Sequence, residues 1–267
     1  MNPRRICPAA DRTASTGMDY TTFAFVALIA TLASALQSFV GFGFALFAIP
    51  PMIMLGLSLP EAVAISLAGT FVQGLAAAVK LHGHIQWRAI GLPAAVRLLA
   101  IPAGLLLMVV LVRLGETPVK QAVGVALLVA LALWVAVRVQ PRERLGMGWG
   151  MAAGLGSGLL SGSVGMGGPP CVLWALGHRW TSEQLRASLF TIFSLSVPLQ
   201  LFLLWRQFGM KPVHAGLLGF LLTPLIIAGA ALGLWLSTYL PTVHLRRAMI
   251  GLLAGMALYA IIPPMLR

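Results

Sequence analysis

The sequence predicts an all-α polytopic membrane protein with about eight crossings in two homologous halves. Three observations support this fold class: the composition, a series of ten apolar stretches and an internal repeat. Hydrophobic residues make up 59% of the 267-residue chain and charged residues only 9%, whereas a soluble domain has about 25% charged residues. Such a surface is suited to lipid, so the bilayer is the first expected partner.

The net charge of +12 indicates membrane topology rather than nucleic-acid binding. The basic residues are scattered singly between apolar stretches, without the basic stripe or aromatic platform of nucleic-acid-binding proteins. Cys7 lies in a polar tail and Cys171 in an apolar segment, so we expect neither a disulfide nor a metal site. The sequence also has no Walker motif. It therefore predicts no cofactor, no metal and no catalytic residue.

Ten apolar stretches follow one another along the chain. They cover 20–40, 43–57, 61–80, 90–112, 119–137, 147–163, 168–177, 184–205, 213–236 and 245–263. A crossing takes about 20 residues, so the second and seventh stretches, rich in Gly and Pro, are too short. We expect them to be half-helices or re-entrant pieces surrounded by protein.

The positive charges select among topologies. Joining each short stretch to its predecessor, as one broken crossing, gives eight crossings and places most Lys and Arg residues on the side of both termini. The positive-inside rule then predicts cytoplasmic termini and a multi-pass protein of the inner cell membrane. No apolar core of a cleavable signal precedes Tyr20, so the first span is expected to direct insertion.

The internal repeat defines the expected domains. A shift of 122 residues pairs Gly43 with Gly165, and a later shift of 125 pairs Gly104 with Gly229. The predicted division is a polar N-terminal tail at 1–18, a first transmembrane repeat at 19–139, a cytoplasmic hinge loop at 140–146 and a second transmembrane repeat at 147–267. Four crossings per half would make the repeats parallel and an odd number would invert them; the sequence leaves both open.

Each repeat contains an apolar segment broken by Gly and Pro, at Gly41–Pro51 and Gly165–Cys171. A half-helix that starts at such a break directs its N–H groups and positive dipole end into a cavity, which suits an anion. The substrate-binding candidates from the breaks are Gly43, Gly165, Gly167 and Gly168, and the more glycine-rich second break is favoured. The alternative role for these glycines is close helix packing.

The helix after each break carries uncharged polar residues within an apolar run. These further substrate-binding candidates are Ser66, Thr70 and Gln73 in the first half, and Ser188 and Thr191 in the second. They would line a polar path for a small oxyanion, or else form hydrogen bonds between helices.

Glu61 and Glu183 open the same two helices. The run Ser58-Leu-Pro-Glu61 is typical of a capping box, so capping is favoured over proton exchange.

Arg97 is the only base deep within an apolar span, and it completes the set of candidates. A charge at that depth is costly and indicates a functional site. Its guanidinium would bind an oxyanion, or the side chain would reach out to the membrane interface.

These residues resemble the sulfite exporter TauE/SafE family of membrane permeases over about 20–264. The resemblance rests on the broken segments Gly43–Pro50 and Gly165–Pro170, each followed by a short loop and a helix that opens at Glu61 or Glu183. It implies an exporter of small sulfur-containing anions such as sulfite, thiosulfate or organosulfonates. The first break departs from the glycine-richer family pattern.

The expected function is therefore secondary transport of a small anionic substrate, by rocking of one half against the other. The energy would come from the membrane potential or from a coupling ion, proton or sodium. An anion channel is the main alternative, and a membrane-embedded enzyme or an assembly factor are weaker ones. A homo-oligomer is left open.

Overall fold

The computed structural model describes residues 19–40, 43–136, 145–239, 251, 253–258 and 260. The predicted N-terminal tail, Gly41, most of the hinge and most of the last apolar stretch lie outside these residues. The helices are α1 Tyr20–Val40, α2 Phe44–Met54, α3 Leu59–Lys80, α4 Trp87–Leu114, α5 Glu116–Ala136, α6 Met147–Val164, α7 Gly168–Leu176, α8 Ser182–Phe208, α9 Met210–Leu221 and α10 Thr223–Tyr239.

Helices α1 to α8 match the first eight apolar stretches, and the ninth stretch is divided between α9 and α10. The pair is bent by 54°. Pro224 lacks the N–H that would bond to the carbonyl of Phe220, and the Thr223 hydroxyl donates to that carbonyl instead, at 2.5 Å.

The all-α polytopic fold class is confirmed. Within the described part of the chain, five helices are long and apolar enough to cross a membrane, or six if α9 and α10 form one span.

Helix α7 turns back along α6 instead of continuing it. The Cys171 thiol, near the start of α7, donates to the carbonyl of Ala153, in the first half of α6, at 3.8 Å. Gly177, just after α7, contacts Leu145, just before α6. The expectation that this short stretch and its predecessor form one crossing is therefore wrong, because α7 packs antiparallel to α6 as a re-entrant half-helix.

Helix α2 folds back in the same way. The N–H of Phe44, at its start, donates to Gln37 Oε1 in the last turns of α1 at 2.9 Å. The Phe44 ring packs over Gly69, ten residues into α3, and residues 55–58 connect the end of α2 to the start of α3. Helix α2 therefore lies antiparallel to α3.

The two halves are inverted relative to each other. Helices α3 and α8 are counterparts in the repeat, yet they cross antiparallel. Near the middle, Gly74 of α3 packs against Ser194 of α8. Just beyond the end of α3, His84 Nε2 pairs with Glu183 Oε2, at the start of α8, at 3.0 Å. Inverted repeats are one of the two arrangements that transporters use.

The halves also interleave. The helix pairs with the most extensive contacts are α4–α6, α1–α10 and α3–α9, and each pair takes one helix from each half. Helices α4 and α6 run parallel, and a Cβ added to Gly158 or Gly162 of α6 would lie 2.5 Å from the carbonyl oxygen of Arg97 or 2.3 Å from that of Ile101. Small residues permit this close backbone approach.

Helices α1 and α10 are likewise parallel, with Gly229 packed on Thr31 and Gly233 on Ala35. Helix α1 runs parallel to α10 and α6 runs parallel to α4, and the inversion of the halves gives α4 and α10 opposite directions. Helices α1 and α6 therefore begin at opposite ends of the bundle. Four crossings per half would put the starts of α1 and α6 at the same end, and the described helices do not have that arrangement.

Candidate functional site

A pocket lies where the starts of α2 and α7 meet near the middle of the bundle. Its accessible volume is about 50 Å³, and it takes its lining from both halves. Seven of the sequence candidates line it: Gly43, Ser66, Thr70, Arg97, Gly165, Gly167 and Gly168. The repeated breaks and the buried arginine are thus brought together at one place.

Both broken segments direct a helix N-terminus at the pocket. Gly43, the residue before α2, has φ of +109°, and Gly165, after α6, has φ of +77°; L-residues with side chains rarely adopt these angles. Pro169 and Pro170 carry no N–H, so Gly167 and Gly168 supply the free amides at the start of α7. In α2 the prolines come later, at 50 and 51.

Arg97 is the charged group of the pocket. Its side chain is only 3% exposed, so it does not reach the membrane interface. Nε donates to Ser196 Oγ at 3.2 Å, Nη2 to Ser161 Oγ at 2.9 Å, and Nη1 to the carbonyl of Ser157 at 3.1 Å. Nη1 also donates to Ser157 Oγ and to the Gly167 carbonyl.

All of these acceptors are uncharged. Of the described carboxylates, Glu116 and Glu183 form ion pairs, with Lys120 and His84, and Arg97 forms none. The guanidinium lies over the ring of Phe193, with its carbon 5.2 Å from the ring centroid. A buried cation with no acidic partner gives the pocket an uncompensated positive charge, and such a charge is unfavourable without a counterion.

Three sequence candidates lie away from the pocket. The Ser188 hydroxyl accepts from the N–H of Gln86 at 3.2 Å, and Thr191 donates to Ala187 O of its own helix at 2.7 Å. Gln73 donates through Nε2 to Ser34 Oγ at 2.5 Å. These bonds are the interhelical or within-helix bonds that were the alternative for such residues.

Glu61 caps α3, as the sequence pattern favoured. Its Oε2 accepts from the N–H of Ser58 at 3.0 Å and from the Ser58 hydroxyl at 2.5 Å. Thr181 and Gln184 form the equivalent capping box at the start of α8.

Sequence reasoning missed two polar residues that line the pocket, Gln37 and Ser161. Gln200 also lines it; it is one of the polar residues of the helix after the second break, but it was not chosen as a substrate-binding candidate. Gln37 Oε1 accepts from the first N–H of α2, and Ser161 donates to Gln200 Oε1 at 2.9 Å. Their only sequence signal is a polar residue within an apolar helix, which does not distinguish a pocket from a helix contact.

A family model described as sulfite exporter TauE/SafE matches residues 26–260. No curated relative and no solved structure matches the chain. The family consists of transporters, not enzymes, which agrees with a polytopic helical bundle around a charged central pocket. Since the match spans most of its length, the chain belongs to the sulfite exporter TauE/SafE family of membrane transporters.

Proposed function

We propose that the chain is a secondary transporter that exports small sulfur-containing anions such as sulfite, thiosulfate or organosulfonates, and that the central pocket binds the anion. The observation that carries the proposal is Arg97. Among the described residues this buried guanidinium donates hydrogen bonds only to uncharged oxygens, and an anion in the pocket it lines would supply the missing negative charge.

The anion would be held from two sides. The N-termini of α2 and α7 present free N–H groups and the positive ends of their dipoles. Ser66 and Thr70, on α3, line the same pocket as these helix ends and Arg97. Because α2 and α7 belong to inverted halves, the site lies at the repeat interface, as in other transporters with inverted repeats.

The units that move would be helix pairs rather than sequence halves. Rocking of one half against the other would break the glycine contacts between α4 and α6. We therefore propose that α4 and α6 move together, as do α1 and α10, around the pocket. A negative-inside membrane potential favours export of an anion. The inner membrane and cytoplasmic termini belong to the proposal as well, but the charge count that predicted the termini assumed the topology that the structure corrects, so it does not support them.

Counterflow in proteoliposomes tests the function. Purified protein with sulfite inside is expected to accelerate uptake of labelled sulfite, with saturation, and thiosulfate or methanesulfonate outside should compete. A flux that rises linearly with concentration would indicate a channel. No flux and no thermal stabilisation by any of these anions would refute the proposal, since a bound ligand stabilises the folded state.

A further inference from the structure

A second polar cluster lies one helical turn from the pocket, where α1, α3 and α10 meet. The Ser34 hydroxyl donates to Ile226 O at 2.5 Å, and Gln73 Nε2 donates to Ser34 Oγ at 2.5 Å. Ser34 is three residues before Gln37, and Gln73 three residues after Thr70. Since residues three apart share a helix face, the cluster continues the pocket lining along α1 and α3.

This cluster contains an unpartnered buried oxygen. Gln73 is 6% exposed and Ser34 is 0% exposed, and Gln73 Oε1 has no hydrogen-bond partner. Turning the amide by 180° would leave Nε2 unpartnered instead, so the protein itself does not satisfy the group. Burying a polar atom without a partner is unfavourable, which points to a ligand from outside the chain.

The inverted repeat indicates which kind of ligand. The counterpart of this three-helix junction is the junction of α6, α8 and α4, where the Arg97 guanidinium is bound by hydroxyl and carbonyl oxygens. The shift of 125 residues pairs Arg97 with Leu222. The junction of α4, α6 and α8 therefore contains the cation Arg97 among neutral oxygens. The junction of α1, α3 and α10 contains neutral oxygens but no cation, since the counterpart of Arg97 is the apolar Leu222.

We propose that Ser34 Oγ, Gln73 Oε1 and Ile226 O bind a sodium ion, and that this ion is the coupling ion of transport. The inference rests on the proposed function of the neighbouring pocket. In secondary transporters, backbone carbonyls at unwound helix segments near the repeat interface coordinate Na⁺, and Ile226 lies in the first turn of α10, just after the break between α9 and α10. Gln73 Nε2 would keep its bond to Ser34 Oγ while the unpartnered Oε1 met the ion, and water from the pocket would complete the coordination.

The binding of the sodium ion and that of the substrate anion are coupled through their opposite charges. The cluster has no carboxylate among its described ligands, so a cation there is balanced best by the anion one turn away. The two charges attract each other strongly in an interior of low dielectric. Each ion is therefore expected to raise the affinity of the other by the same factor.

Sulfite binding to the purified full chain in detergent, measured by thermal shift in NaCl, KCl and N-methylglucamine chloride at equal ionic strength, tests the site. We expect sulfite to bind at least about fivefold more tightly in Na⁺, the lower end of typical coupling between sites. Ser34→Ala and Gln73→Met should reduce sulfite affinity in Na⁺ to the K⁺ value. Thr31→Val is the matched control, because the Thr31 hydroxyl bonds to Ala27 O of its own helix at 2.8 Å.

The outcomes separate the two proposals. Equal sulfite affinity in Na⁺ and K⁺ would overturn the sodium site and leave the anion pocket standing. Stabilisation by Na⁺ with no response to sulfite in any salt would refute the anion pocket instead. If Gln73→Met does not fold, Ser34→Ala decides: a folded Ser34→Ala protein that keeps the full Na⁺ dependence would overturn the site.

Discussion

Replacing Arg97 by Met should weaken anion binding without weakening the fold. Arginine has five N–H donors. Nε and both Nη1 hydrogens are directed at Ser196, Ser157 and Gly167, and Nη2 donates one hydrogen to Ser161. One Nη2 N–H remains for the anion.

A hydrogen bond to a charged group contributes about 1.5–3 kcal/mol. At about 1.4 kcal/mol per tenfold, its loss should raise the sulfite Kd about 10- to 150-fold. Burying a charge without a counterion is costly, and the Ser157, Ser161 and Ser196 hydroxyls keep their own bonds to Gly167 O, Gln200 Oε1 and Phe193 O when Arg97 is removed. The unfolding temperature of the ligand-free protein should therefore not fall. Isothermal titration calorimetry and thermal unfolding of the same preparations measure both quantities.

Arg113→Met is the matched control, because Arg113 lies exposed in the last turn of the same helix. It removes the same charge from α4 and should leave the sulfite Kd unchanged. An Arg97→Met protein that binds sulfite as tightly as the wild type would refute the assignment of Arg97 to the anion, whatever its effect on transport rate.

Three further predictions concern the break, the topology and the cap. Gly167→Ala should abolish counterflow, because its Cβ would lie 2.2 Å from Ser157 O, whereas Gly156→Ala, with its nearest neighbour at 3.6 Å, should transport normally; equal activity of the two would contradict the packing at the break. In a background without native cysteines, Ser182→Cys and Gly115→Cys should be labelled by an impermeant maleimide from opposite sides of the membrane, and labelling from one side would argue against the inverted repeat. Glu61→Ala should cost about 1 kcal/mol of stability and leave the sulfite Kd unchanged, as thermal unfolding and binding assays can show. A large rise in Kd at unchanged stability would show that Glu61 contributes to anion binding and does not only cap α3.

Helix positions could be predicted from the sequence because each depends on a local pattern. Apolar length set the limits of the long helices, and the Gly and Pro residues at Gly43–Pro51 and Gly165–Pro170 located α2 and α7. Thr223-Pro224 held a similar signal for the bend between α9 and α10, within a stretch expected to be continuous.

The direction of α7 depends on packing and could not be predicted in this way. A break shows where a helix ends, but only the contacts of Cys171 with Ala153 and of Gly177 with Leu145 show that the chain turns back. The charge distribution was misleading for the same reason. The positive-inside rule ranks topologies whose span directions are already given, and the direction of each short stretch had to be assumed.

Local sequence patterns could likewise predict only some residues of the candidate site. Arg97 and the glycines could be predicted because a deep charge and a broken helix are both costly and are retained where they serve function. Ser188 and Thr191 could not be distinguished from Ser161 and Gln200, because a hydroxyl or amide in an apolar helix has the same local pattern in a pocket and in a helix contact.

The interleaving of the halves has a consequence for biosynthesis. Ser34 and Ile226 are 192 residues apart in sequence, so α1 enters the membrane long before α10 has been synthesised. During that interval the faces of α1 and α4 that later receive the glycines of α10 and α6 remain open to lipid or to a chaperone. Neither half can therefore complete its packing alone, because the contacts of α4 with α6, of α1 with α10 and of α3 with α9 all require the other half.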